Sequence, residues 1–136
     1  CMFVTALCGT LDVDSGRLVM ANAGHMHPLQ INQSSSGELI VDGSLALGLM
    51  DDVVYTNVEC TLEKHTSLLM YTDGISEAFN REKQQYGEER LLDFVAQAKD
   101  RDAESLGVST LADVEKFVDD AEQSDDITLM VIHYGS

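Results

Sequence analysis

The chain has 136 residues, of which 24 are acidic and 8 are basic, giving a net charge of -16. This length fits one domain. The strong negative charge repels the phosphate backbone of nucleic acids and anionic lipid surfaces, so neither is expected as a partner. No apolar run approaches the roughly 20 residues that a helix needs to cross a bilayer.

The first two thirds of the chain have the pattern of short strands. Residues 3–11 form an apolar run rich in strand-forming residues, and residues 12–16 (DVDSG) have turn chemistry. A hairpin with a second strand at residues 17–21 is therefore predicted. Further strands are predicted at the following ranges: 28–32, 38–41, 53–60 and a buried strand at 67–72.

The last third of the chain is mostly helical. Apolar residues recur on one face of residues 88–98 and again of residues 111–120, with Ser109 or Thr110 as the N-cap of the second helix. Residues 127–134 return to strand character. Many strands, then helices, then one strand indicate an α+β fold with a largely antiparallel sheet.

The ends and the cysteines bear on cellular context. No basic region precedes the apolar start, so no secretory signal is predicted. Because the chain opens inside a predicted strand, we expect a fragment of a longer protein. Cys1, Cys8 and Cys60 match no disulfide framework, which favours a reduced, cytoplasmic setting. Cys8 and Cys60 fall in strand-like runs and are predicted to be core residues.

Two acidic turns are the candidate functional features. Asp73 and Gly74 follow the buried strand at 67–72, and Asp125 and Asp126 precede the final strand. Taken singly, each is also explained by an ordinary Asp-Gly turn or an acidic loop. Both turns, however, place a carboxylate at the end of a predicted central strand. Adjacent strands would bring them close enough to bind a metal, and oxygen ligands without a His or Cys cluster favour magnesium or manganese.

Histidines offer a weaker metal candidate. His25 and His27, between two predicted strands, are interpreted as structural or loop histidines and not as a metal pair.

Six segments, in order along almost the whole chain, match the pattern of a known family. The segments are residues 2–6 (MFVTA), 21–25 (ANAGH), 45–49 (LALGL, where the family has LPLGL), 69–74 (LMYTDG), 86–91 (YGEERL) and 123–128 (QSDDIT). They resemble the C-terminal part of a PPM-family (protein phosphatase 2C-like) serine/threonine phosphatase domain. The resemblance is to the bacterial branch that regulates sigma factors, related to the sporulation stage II and stress-response activating phosphatases. Each segment alone is weak, but six in family order are specific.

The resemblance implies a β-sandwich flanked by helices, with a two-metal site for Mn²⁺ or Mg²⁺. Asp73 and Asp125 correspond to metal ligands, with Gly74 and Asp126 beside them. It also implies direct attack of metal-activated water on phosphorus, with no phosphoenzyme. The implied substrate is a phosphorylated STAS-type antagonist of an anti-sigma factor.

This chain departs from the family pattern in one respect. The family has a further metal-binding element, the upstream Asp-Gly element, within a D-x-S-G-H-G stretch before the matched region, and these 136 residues contain no such stretch. We therefore expect part of a site, a fragment that is inactive alone, and exposed surfaces through which it could form a homodimer. Two alternatives stay open: a non-catalytic PPM-like binding module, and a stand-alone acidic metal-binding domain.

Overall fold

The computed structural model describes residues 2–122 and 125–135. Cys1, Ser136, and Gln123 and Ser124 of the predicted acidic segment lie outside the described residues. The strands are β1 Ala6–Leu11, β2 Arg17–Ala23, β3 Leu29–Ile31, β4 Ser36–Glu38, β5 Gly43–Ser44, β6 Val58–Thr61, β7 Thr66–Tyr71 and β8 Leu129–Tyr134. The helices are α1 Asp73–Ser76, α2 Glu88–Ala96 and α3 Ala103–Val118.

The first sheet is built on the predicted hairpin. β1 pairs antiparallel with β2, and the Asp12 carboxylate closes the turn by accepting hydrogen bonds from the Asp14 and Ser15 amides at 3.0 and 2.9 Å. β6 lies antiparallel to β2, whereas the short β5 runs parallel to it. The strand predicted at 53–60 begins only at Val58. The residues before it are tied to Ser44 of β5 and to Leu45 by side-chain hydrogen bonds and not by a strand ladder.

The second sheet carries the two acidic turns. Its strand order is β4-β3-β7-β8, and every neighbouring pair is antiparallel. The strand predicted at 38–41 is displaced to Ser36–Glu38, where it pairs with β3. β7 is central, as predicted, but in the described part of the chain β8 ends the sheet order, so the prediction of two central strands is wrong for β8.

Alternating side chains of β7 divide the core into two clusters. Leu68 lies between the sheets with Leu18 and Met20 of β2. Leu69 and Tyr71 point the other way, into a cluster that also contains buried residues of β3, α2 and α3. Sheet, sheet and helices therefore form three layers, which confirms the predicted α+β fold of a β-sandwich with flanking helices.

Helix α3 corrects a predicted boundary. It begins eight residues before the predicted start at 111, and its N-cap is Asp102, whose carboxylate accepts a 3.0 Å hydrogen bond from the Ser105 amide. Gly107 lies inside this helix, and a Cβ placed on it would make an ordinary 3.8 Å contact with Val131, so α3 packs directly on β8. Ser109 and Thr110, the predicted caps, are interior helix residues, and Thr110 is fully buried.

The exposure of Cys8 and Cys60 tests the prediction that both are core residues. Leu7 and Leu11 of β1 pack between the sheets, so Cys8, one residue out of that alternation, is exposed and is not a core residue. Cys60 is half-buried, and burial raises the pKa of its thiol.

Within residues 2–122 and 125–135, no helix combines the length and apolarity of a membrane span.

Candidate metal-binding edge of the second sheet

Asp73 follows the most deeply buried strand of the fold. Leu69 and Tyr71 are almost completely buried just before it, and Ile75 is completely buried just after it. Burial raises the pKa of the Tyr71 phenol, and the Glu88 and Glu38 carboxylates add to this effect, so the phenol is a neutral anchor. The exposed Asp73 carboxylate is thus carried on a backbone that is fixed on both sides.

Asp125 and Asp126 approach the same edge from the other direction. Both are exposed, and the Asp126 amide donates a 2.7 Å hydrogen bond to the Asp125 carboxylate. Ile127 packs partly against the core between α2, α3 and the second sheet, and β8 begins at Leu129. The acidic pair therefore sits directly before the strand that lies beside β7.

The two turns are joined by backbone contacts beyond the last strand pair. Tyr71 pairs with Leu129, and the Thr72 amide then donates to the Thr128 carbonyl at 3.1 Å. A Cβ placed on Gly74 would lie 2.9 Å from the carbonyl carbon of Asp126 and closer still to its oxygen. Only glycine allows this approach, so Gly74 lets the turn that carries Asp73 pack against the backbone of residues 125–128.

A role for Thr72 was not predicted from the sequence. Its hydroxyl donates to the Asp126 carbonyl at 3.3 Å and accepts from the Thr128 amide at 3.0 Å. A threonine at the end of a strand carries no distinctive pattern, because β-branched residues are common throughout strands. Only the pairing of β7 with β8 reveals its position between the two acidic turns.

The donor atoms at this edge are carboxylate oxygens, the type that a hard divalent cation prefers, but the described residues provide too few of them to hold one alone. Carboxylate oxygens are the ligands that Mg²⁺ and Mn²⁺ prefer. Among the described residues, no ion pair includes Asp73 or Asp126, so a cation would offset the repulsion between these acids. No group of three His, Cys, Asp or Glu side chains suited to a metal occurs within 2–122 and 125–135. Within these ranges, the donors at this edge alone do not make up a full set of metal ligands.

The histidines have structural partners, as predicted. The His25 ring shares a 3.1 Å hydrogen bond with the Thr5 hydroxyl, and its amide donates to the Asn22 side chain at 2.7 Å. The His27 ring accepts from the Val41 amide at 3.3 Å. The two rings are thus engaged with different parts of the first sheet and its loops.

Comparison with known proteins agrees with this architecture. The family model of stage II sporulation protein E (SpoIIE) matches residues 1–135. Protein IcfG of Synechocystis is 26% identical over 132 residues, which are 97% of this chain and 21% of that protein. The SpoIIE phosphatase domain of Bacillus subtilis, presoaked with manganese, superposes with a TM-score of 0.75 at 14% identity, over 96% of this chain and 56% of that one.

A second similar structure contains two named domains. The RsbU and RsbW domains of Rv1364c from Mycobacterium tuberculosis match with a TM-score of 0.77 at 24% identity, over 96% of this chain and 36% of that one. The chain thus spans about a fifth of the curated relative and about a third to a half of the solved chains. The match confirms the resemblance inferred from the six segments: the chain belongs to the stage II sporulation protein E family and has part of the protein phosphatase 2C-type fold.

Proposed function

We propose that the protein containing this chain is a metal-dependent phosphoserine/phosphothreonine protein phosphatase. The observation that carries the proposal is the meeting of the Asp73 and Asp125 turns at one edge of the second sheet, in a chain of this family. The similarity to a SpoIIE domain described as a phosphatase supports the activity. The similarity to a protein with RsbU and RsbW domains supports a phosphorylated STAS-type anti-sigma-factor antagonist as substrate. Three cysteines that match no disulfide framework support a cytoplasmic setting.

Asp73 and Asp125 would hold Mn²⁺ or Mg²⁺ at this edge, with the family's upstream Asp-Gly element completing the ligand set. When bound, such ions activate water and neutralise charge on the phosphoryl group. The neighbouring residues of this chain hold the two carboxylates in place. Thr72 links the two turns, and Gly74 admits the Asp126 backbone. A short carboxylate on a fixed backbone loses little freedom when it binds a cation.

The test uses the full-length protein with Asp73→Asn and Asp125→Asn. Asparagine keeps the size of the side chain and removes the charge, so we expect turnover of a phosphoserine protein substrate to be abolished while the circular dichroism spectrum is unchanged. Asp14→Asn is the matched control, because Asp14 is exposed in the β1–β2 turn, away from the Asp73 edge. Near-normal turnover in either site variant would remove that residue from the proposed ligand set.

The second candidate function is a non-catalytic PPM-like module that binds an antagonist protein. The sequence upstream of Cys1 separates the two, since an intact Asp-Gly metal element there supports the enzyme. Calorimetry in which the full-length protein takes up neither manganese nor magnesium would favour the binding module.

A further inference from the structure

A small apolar cavity adjoins the Asp73 edge. It has a volume of about 230 Å³ and lies between α1, the C-terminal part of α3 and the segment leading to β8. Gly74 and Ile127 form the side nearest the acidic turns. The apolar lining includes Gly74, Ala78, Phe79, Val114, Val118 and Ile127. The Phe79 side chain is 37% exposed, so the cavity opens to solvent beside an aromatic ring.

The rim of this cavity is acidic. Glu115, Asp119 and Glu122 line it together with the apolar side chains. Arg81 pairs with Asp119 at 3.5 Å, and also with Asp120. Among the described residues, no ion pair includes Glu115 or Glu122, and both are exposed. Two carboxylates at the mouth therefore remain available to a cationic partner.

The backbone at the rim is constrained. Asp119 ends α3 in a left-handed conformation with φ 56°, which costs energy for a residue other than glycine. Its amide bonds the Glu115 carbonyl at 2.9 Å, and Arg81 holds its carboxylate. The acidic mouth is thus built by specific contacts and has a defined shape next to the cavity.

The size of the cavity limits its occupant. Sites for small-molecule cofactors measure about 300–1,000 Å³, which is larger than this cavity. The volume suits one large aliphatic or aromatic side chain instead. An apolar floor beneath free carboxylates is complementary to an apolar side chain with a neighbouring Lys or Arg, since each group then meets its preferred surroundings.

We propose that this cavity is a docking site for the phosphoprotein substrate, which inserts an apolar side chain while an adjacent Lys or Arg pairs with Glu115 and Glu122. The proposal rests on the proposed function, because the cavity borders the edge where the phosphoryl group would react. Docking there would hold the substrate by a short segment and leave its phosphoserine free to reach the Asp73 edge. Specificity would then come from residues near the phosphoserine as well as from the phosphate.

The test uses the full-length protein and synthetic phosphoserine peptides in which a Leu-Arg pair is moved one residue at a time on either side of the phosphoserine. Phosphate release is measured as kcat/KM relative to that for p-nitrophenyl phosphate. Binding of the fluorescently labelled, unphosphorylated peptides is measured separately by anisotropy. At one spacing we expect Leu-Arg to be preferred over Ala-Arg by about tenfold, because the apolar side chain is buried, and over Leu-Glu by about fivefold, because the rim is charged.

Reversing the charge of the cavity rim is the decisive experiment. The double variant Glu115→Lys/Glu122→Lys should invert the preference, so that Leu-Glu peptides bind more tightly than Leu-Arg peptides. The matched control is Asp14→Lys/Glu63→Lys, which changes the net charge equally at exposed positions away from the Asp73 edge. This control should retain the Leu-Arg preference, which separates a local rim effect from the overall charge.

The outcomes distinguish the docking site from the proposed function. Equal binding of Leu-Arg, Ala-Arg and Leu-Glu peptides at every spacing, or an unchanged preference in the rim variant, would overturn the docking site even if phosphate is released normally. Binding that shows the preference and its inversion, without phosphate release from any substrate, would support the docking site and overturn the phosphatase assignment.

Discussion

The hydroxyl of Thr72 accepts a hydrogen bond from the amide of Thr128 at 3.0 Å and donates one to the carbonyl of Asp126 at 3.3 Å. One side chain therefore continues the pairing of β7 with β8 past its last strand pair. Thr72 itself immediately precedes Asp73, and Asp126, whose carbonyl it bonds, immediately follows Asp125. The spacing of the two candidate ligands thus depends on a neutral hydroxyl between them.

Replacing Thr72 by Val removes this hydroxyl while preserving the shape of the side chain. We expect the free energy of unfolding to fall by about 1 kcal/mol, the typical net contribution of a hydrogen bond. We also expect weaker manganese binding by the full-length protein, because the two turns separate more freely. Urea denaturation and calorimetry measure these effects. Thr72→Ser, which keeps the hydroxyl, should restore manganese affinity, and equal affinities for Val and Ser would contradict the linking role.

Gly74→Ala tests the close approach of the two turns. The added Cβ meets the Asp126 carbonyl carbon at 2.9 Å, and this neighbour is backbone that cannot rotate away. Displacing it should cost about 1–3 kcal/mol of stability and lower turnover. Gly37→Ala is the matched control, because nothing lies within 4 Å of a Cβ placed there, so it should be close to neutral. Similar melting temperatures for the two variants would mean that the Asp126 segment yields readily.

The sequence predicted the order of strands and helices well, because alternating and helical apolar patterns report which face of an element is buried. The meeting of the Asp73 and Asp125 turns followed from placing their strands side by side. The start of α3 did not follow, since Gly107, Ser109 and Thr110 have low helix propensity. Packing against β8 outweighs that propensity, and such packing is visible only in three dimensions.

Other errors have similarly local causes. Cys8 lies in a strand with apolar neighbours, but whether a strand residue faces inward depends on the strand's register, which composition does not reveal. The position of β8 at the end of the second sheet depends on which strands pair, a long-range property. Thr72 and the apolar cavity with its acidic rim involve contacts between distant segments, so no motif marked them.

The N-cap of α3 gives a direct test of the corrected boundary. Asp102→Ala removes the carboxylate that accepts the Ser105 amide, so it should lower the melting temperature and the helical content. Ser109→Ala should have a smaller effect, because Ser109 lies inside the helix and its hydroxyl bonds only the Leu106 carbonyl at 3.3 Å. A larger loss for Ser109→Ala would support a helix beginning near residue 111.

The same cap predicts a dependence on pH. The Ser105 amide lowers the pKa of Asp102 below its ordinary value of 3.8, since the hydrogen bond favours the charged carboxylate. The folded-state pKa is then below the unfolded one, so the stabilisation is complete above 3.8 and is lost as pH falls through the lower folded-state value. The carboxyl chemical shift of Asp102, followed by NMR, should titrate below pH 3.8. A midpoint at or above 3.8 would contradict the capping contact.

The 136-residue chain alone should lack phosphatase activity even though its candidate edge is formed. Asp73 and Asp125 provide only part of a ligand set, and the family's remaining Asp-Gly element does not occur in this sequence. With fewer carboxylates, we expect manganese to bind more weakly to the chain alone than to the full-length protein. Phosphate release and calorimetry on both measure the difference. Adding an upstream region that contains an intact Asp-Gly element should restore activity, whereas equal manganese-dependent rates with and without it would mean that these two aspartates suffice.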